Sequence, residues 1–162
     1  MVGRYGTFVM VIGTVVGTLS FVPIYGSAQD SPPVSCVPAS ASAPLEALVR
    51  CAEGGDAVAQ NNLGELYANG LGVPVDHAEG LRWFGLSAEQ GFAEAQFNLG
   101  RMYGRGDGVA ADLVYAYFWC DLASAQGNDI AQSVKELLGQ IMTSEQIAEA
   151  QRLSREWTAA HP

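Results

Sequence analysis

Beyond Pro44 the apolar residues fall at helical spacing. Ala59, Leu63, Leu66 and Tyr67 make one stripe and predict a helix over about 57–69. Asn69-Gly70-Leu71-Gly72 ends it, with Gly70 suited to the left-handed position just past a helix, and Val73-Pro74 turn the chain. Asp76, with Glu79 three positions later, reads as a capping box opening a second helix to about residue 90. The plan then returns. A leading helix is predicted over 93–105, a turn at Gly106-Asp107-Gly108, and a helix capped by Asp112 that reaches about 126. Gly127-Asn128 introduce a third leading helix over 129–141. Thr143 and Gln146 form a further capping box for a last helix from 144 to about 158, and a short helix over 45–53 precedes them all.

The chain repeats itself at an offset of 36 residues. Ala59-Gln60-Asn61-Asn62-Leu63-Gly64-Glu65-Leu66-Tyr67 returns as Ala95-Gln96-Phe97-Asn98-Leu99-Gly100-Arg101-Met102-Tyr103, and Trp83 returns as Trp119. Such a period predicts an all-α fold, a short right-handed solenoid of helix pairs, in which each unit buries its apolar face on its neighbours. The expected domain spans 45–160: a half-repeat at 45–55, repeat one at 56–91, repeat two at 92–127 and capping helices at 128–158. In the third unit Lys135 and Glu136 stand where Leu99 and Gly100 stood, so the close contact of the earlier units is not expected there.

Two segments precede this domain. Arg4, an apolar run over residues 7–22, Pro23 and Gly26-Ser27-Ala28 have the layout of an export signal over 1–28, with cleavage after Ala28. An uncleaved inner-membrane anchor is the alternative, although the run is short of the roughly 20 residues a span needs. Residues 29–44, rich in Pro, Ser and Ala, read as a flexible lead. The expected location is periplasmic or secreted.

The net charge is −9, and removal of residues 1–28 takes away Arg4 and no acid, leaving −10. That field disfavours nucleic acid and anionic lipid, and the basic residues are scattered. Cys36 and Cys51 are expected to form a disulfide in an oxidising compartment, leaving Cys120 as a buried free thiol on an apolar helix face. With His77 and His161 the only histidines, no metal site or cofactor is expected.

Residues that recur at one phase are read as structural: Ala59, Leu63, Gly64, Tyr67, Gly70, Gly72 and Trp83, and their partners Ala95, Leu99, Gly100, Tyr103, Gly106, Gly108 and Trp119. Gly64 and Gly100 sit inside helices at a cost of about 1 kcal/mol each, which points to a helix backbone crossing too closely for a Cβ. The indole and phenol edges are expected to donate to backbone carbonyls. Specificity then belongs to the varying polar strip of the leading helices: Asn61, Asn62, Glu65, Asn69, Phe97, Asn98, Arg101 and Arg105. Phe97 reads either as an exposed apolar anchor for an extended peptide or as packing on the next helix.

This pattern resembles the Sel1-like repeat, a relative of the tetratricopeptide repeat. The resemblance rests on Ala59, Gln60, Leu63, Gly64, Tyr67, Gly70, Gly72, Val73, Asp76, Trp83 and Phe84 and on their counterparts in repeat two, and it is close over residues 51–127. Gly80 stands where the family, like Ala116 here, prefers alanine, and Cys120 replaces the aromatic seen at Phe84. The resemblance implies an adaptor or scaffold, not an enzyme, with a protein or peptide partner, and a monomer is expected. Some exported members bear a disulfide within each repeat and are linked to penicillin binding or hydrolysis, but these cysteines do not follow that pairing. A β-lactam-binding or hydrolysing protein is the rival reading beside a structural or immunity-type role. Hydrolysis needs an activated serine, but no Ser-x-x-Lys is present, and Ser133, two positions before Lys135, points to a different side of the helix.

Overall fold

In the computed structural model, residues 45–161 are described. The expected signal segment, the Pro-rich lead and Cys36, and with it the Cys36–Cys51 pairing, lie outside them. Over that span run α1 (Leu45–Glu53), α2 (Ala57–Asn69), α3 (His77–Glu89), α4 (Ala93–Arg105), α5 (Leu113–Ala125), α6 (Asp129–Ile141) and α7 (Ser144–Ala160), with no strand among the described residues.

The helix ends follow from local chemistry. Asp56 accepts from the Ala59 N–H at 2.7 Å and Asn128 from the Ala131 N–H at 2.9 Å, each satisfying an orphan donor of the first turn. Phe92 holds the same position before α4 with no side-chain cap, and its ring packs on the core instead. Gly70 and Gly106 take φ of 69° and 79°, the left-handed conformation that closes α2 and α4. The connection is then tied back: the Asp76 N–H donates to the Tyr67 carbonyl at 2.9 Å, and Asp112 to Tyr103 at 2.9 Å.

One expected capping box forms only in half. Asp76 accepts from the Glu79 N–H at 3.0 Å, but the Glu79 carboxylate turns away to Arg82 at 2.8 Å. Thr143 and Gln146 make both bonds.

Helices pack in sequence order, α1 on α2, α2 on α3, and so on to α6. Cys51, Ala52, Ala59, Leu63 and Trp83 join the half-repeat to repeat one. Phe84, Ala88, Ala95, Leu99, Met102 and Trp119 belong to the larger core that joins repeat one to repeat two. The two helix-interior glycines are places where a Cβ does not fit; the expected backbone crossing is found at Gly100, whereas at Gly64 the obstacle is a side chain. At Gly64 it would meet the Phe84 ring at 2.7 Å; at Gly100 it would meet the Cys120 sulfur at 2.6 Å and the Ala116 carbonyl oxygen at 3.0 Å. Phe84 and Cys120 are equivalent positions, so a ring fills this space in repeat one and a single sulfur in repeat two.

The third unit departs from the pattern. Connection 70–76, like 106–112, gives the chain room to double back, whereas α6 and α7 are joined by Met142-Thr143 alone. Met142, where Gly70 and Gly106 stood, is extended (φ −86°, ψ 153°). α7 therefore packs on α5 and not as a close partner of α6. Lys135, at the phase of buried Leu63 and Leu99, reaches α5 at Asp121 (3.2 Å) and Ser124 (3.1 Å). This polar contact replaces an apolar one, as the sequence led one to expect.

Candidate functional site

Repetition places equivalent side chains of α2, α4 and α6 side by side, and burial separates those that stack from those that stay accessible. Gln60 and Gln96 are buried and stack. Gln60 donates to the Ala52 carbonyl at 3.0 Å and accepts from Gln90 at 2.7 Å; Gln96 donates to Ala88 at 3.3 Å and accepts from Gln126 at 2.8 Å. The third copy, Gln132, is exposed and bonds Glu136, so the ladder ends there. Sequence reasoning read these glutamines only as marks of the repeat; that all four recur in pairs was the available signal.

Two residues assigned to the polar strip prove to be interior. Asn61 and Asn98 are buried, and the Asn98 amide donates to the Asn61 oxygen at 3.1 Å across the repeat boundary. Glu65 accepts from Asn61 at 3.3 Å and from Asn98 at 3.5 Å, half-buried beside them. The physical reason is reciprocity: an amide buried at a repeat junction needs a partner, and the neighbouring copy supplies one. Phe97 is half-buried and packs on Cys120, Ala123 and Ala131 of α5 and α6, so it serves stacking rather than standing free.

The remaining strip positions are accessible. Asn62 and Arg101 are half-buried and Asn69 and Arg105 exposed, with the Asn69 amide donating to the Glu65 carbonyl at 3.0 Å. Neither arginine forms an ion pair among the described residues. α6 adds Leu137 and Ile141, 62% and 67% exposed, which the sequence reading passed over. Their 36-residue offset from Arg101 and Arg105 was the signal that could have found them.

Elsewhere the aromatics do less than expected. The Trp119 and Trp157 indole N–H groups are buried without a partner rather than bonded to carbonyls. Tyr103 stacks on Tyr115 with ring centres 5.3 Å apart, and burial, with Tyr115 and Asp112 adding, raises its phenol.

Burial pushes the Cys120 thiol up to about 12, which leaves it without thiolate character. Ser133 donates to the Asp129 carbonyl at 3.1 Å while the Lys135 amine is held by α5, so the two do not meet. Among the described residues no group of three His, Cys, Asp or Glu could hold a metal, and no helix is long and apolar enough to cross a membrane.

The Sel1 repeat family model matches residues 57–92 and 93–128, the two units delimited by the helix pairs. A Sel1 repeat protein from Oxalobacter formigenes is similar at 42% identity and a TM-score of 0.55, covering 57% of this chain and 69% of that one. A protective antigen of uropathogenic Escherichia coli with an SLR fold is similar at 33% identity and a TM-score of 0.68 over 70% of this chain. The chain spans only 24% of that protein. No curated protein sequence matches. With both repeats matched and the helix-pair fold shared, the chain belongs to the Sel1 repeat family.

Proposed function

We propose that the protein is an exported, non-enzymatic adaptor whose leading helices bind a peptide or protein partner in the bacterial envelope. Sel1 repeats mediate protein–protein interaction. One observation carries the finer reading: recurring side chains such as Gln60, Gln96, Leu63 and Leu99 are buried in stacking, while the half-buried phase beside them changes from Glu65 to Arg101. A surface that keeps its scaffold constant and varies its charge is built to discriminate. Export is supported by the basic start, apolar run and small-residue site of residues 1–28.

Two measurements test the reading. N-terminal sequencing of protein released by osmotic shock should begin at Gln29. A photo-crosslinking residue at position 69 or 105 should trap one partner in envelope extracts, and the same residue at position 82 on α3 should not. Equal adducts from position 82, or protein confined to the cytosol with its full N-terminus, would count against it.

A further inference from the structure

Helix α6 keeps the rotational phase of a leading helix. Ala131 is as fully buried as Ala95 and Ala59, and Leu138 is buried at the position of Met102. Leu137 therefore stands at the phase of Arg101 and Glu65, and Ile141 at that of Arg105 and Asn69. Each pair is spaced i, i+4 and shares one helix face. Along the leading helices one strip thus runs from half-buried Glu65 and exposed Asn69 on α2, through half-buried Arg101 and exposed Arg105 on α4, to exposed Leu137 and Ile141 on α6.

The middle step carries positive charge. Arg101 and Arg105, like Arg50 and Arg155, form no ion pair among the described residues, and they are the two that share one face of a leading helix. The last step leaves two large aliphatic side chains more than half exposed.

We propose, resting on the binding role above, that this strip takes an extended peptide carrying a carboxylate against Arg101 and Arg105. About three residues further along, the same peptide places a bulky apolar residue against Leu137 and Ile141. The spacing follows from geometry: Phe97 of α4 packs against the cluster that holds Ala131 of α6, which puts these two helices on the order of 10 Å apart, and an extended chain advances about 3.3 Å per residue. A guanidinium grips a carboxylate with two parallel hydrogen bonds, so the charged contact sets register and the apolar contact excludes water. On the far side, Glu65 and Asn69 favour a basic or amide side chain. The net charge of −9 repels a long acidic run, so one or two carboxylates are selected rather than a tract.

The test is selection of displayed random heptapeptides on the purified protein. Enriched peptides should hold Asp or Glu three positions from a bulky apolar residue. Arg101→Glu with Arg105→Glu, its helical fold checked by circular dichroism, should lose those peptides by at least about tenfold and select Lys or Arg at that position. Arg101→Gln with Arg105→Gln, which adds no repulsion, should lose the acidic preference alone. Leu137→Glu with Ile141→Glu should abolish the apolar preference and keep the acidic one.

Enriched peptides lacking the paired pattern, or an unchanged pattern in the arginine variants, overturn the inference and leave a binding role intact. No enriched peptide at all also overturns the inference, and the crosslinking above then decides the binding role separately. A concentration-dependent dimer that Leu137→Glu dissolves would assign the apolar step to a second copy and overturn it as well.

Discussion

The side-chain amide of Gln126 donates to the buried amide oxygen of Gln96 at 2.8 Å, and Gln90 makes the same bond to Gln60 one repeat earlier at 2.7 Å. Because Gln96 also donates to Ala88, one side chain ties the end of α3, the start of α4 and the end of α5. Gln96→Leu should therefore destabilise by about 1–3 kcal/mol, and the loss should not add to that of Gln126→Ala. Urea melts check it. A Gln96→Leu variant within about 0.5 kcal/mol of the parent would make the ladder incidental.

Three helical glycines should answer differently to one added methyl, although helix propensity favours alanine by about 1 kcal/mol at each. At Gly104 a Cβ would lie 3.6 Å from the Ala116 methyl, an ordinary contact, so Gly104→Ala should stabilise by about that amount. At Gly80 it would lie 3.1 Å from the Ala68 methyl and 3.2 Å from the Gly64 carbonyl oxygen, so Gly80→Ala should destabilise. Gly80 and Ala68 exchange roles with Ala116 and Gly104, and only the crossing of repeat two leaves room for a second methyl. Gly100→Ala, facing sulfur at 2.6 Å and backbone at 3.0 Å, should lose most, and Gly100→Leu more, with overpacking of about 1–3 kcal/mol. Thermal melts that rank Gly100→Ala above Gly104→Ala would contradict this.

The Cys120 thiol, buried and pushed up to about 12, should resist alkylation at pH 8 while the protein is folded. It should react in full once the chain is unfolded. In exported protein, with Cys36–Cys51 formed as the sequence leads one to expect, denatured thiol counting should find Cys120 and no other. Rapid native labelling of Cys120, or three thiols after denaturation, would each be a failure.

Acid should loosen α7 before the repeats. Hydrogen bonds from its own backbone N–H and from Thr143 hold the Glu145 carboxyl low, and the Arg152 guanidinium does so for Glu149. Both folded values lie below the unfolded one, so their contribution is present above the ordinary carboxylate range, about pH 4.3, and is lost as pH falls through the lowered values. Hydrogen-exchange protection factors at 144–150 should fall between pH 7 and 3 faster than those of α4. Equal loss in both helices would remove the idea.

Much of the fold was legible. The observed bounds of α2, α4 and α6 are those read from periodicity, because each helix is stopped by a local device: a left-handed glycine, a capping Asp or Asn, or a stripe that ends. Less of the candidate site was legible. Asn61 and Asn98 read as surface since they are polar, and only the position of the next repeat shows them bonded to each other inside. Phe97 was undecided between solvent and neighbour until the small residues Cys120, Ala123 and Ala131 were found to make room for it. The partnerless Trp119 N–H had no signal at all, since a hydrogen bond across a core depends on distances that no spacing encodes.

By itself the sequence determined the repeat, the helix pairs, the glycine turns and the loss of pattern after Gly127, since these rest on short-range sterics and on the 3.6-residue period. Only the tertiary structure decided which polar groups are interior, where α7 docks and which side chains share the accessible strip. Those depend on how one copy meets the next. Met142 is extended where Gly70 and Gly106 turn left-handed, so the two-residue link sends α7 away from α6 and onto α5. The strip of Arg101, Arg105, Leu137 and Ile141 exists because α6 holds the phase of α4, through Ala131 buried like Ala95, after the pattern around it has changed.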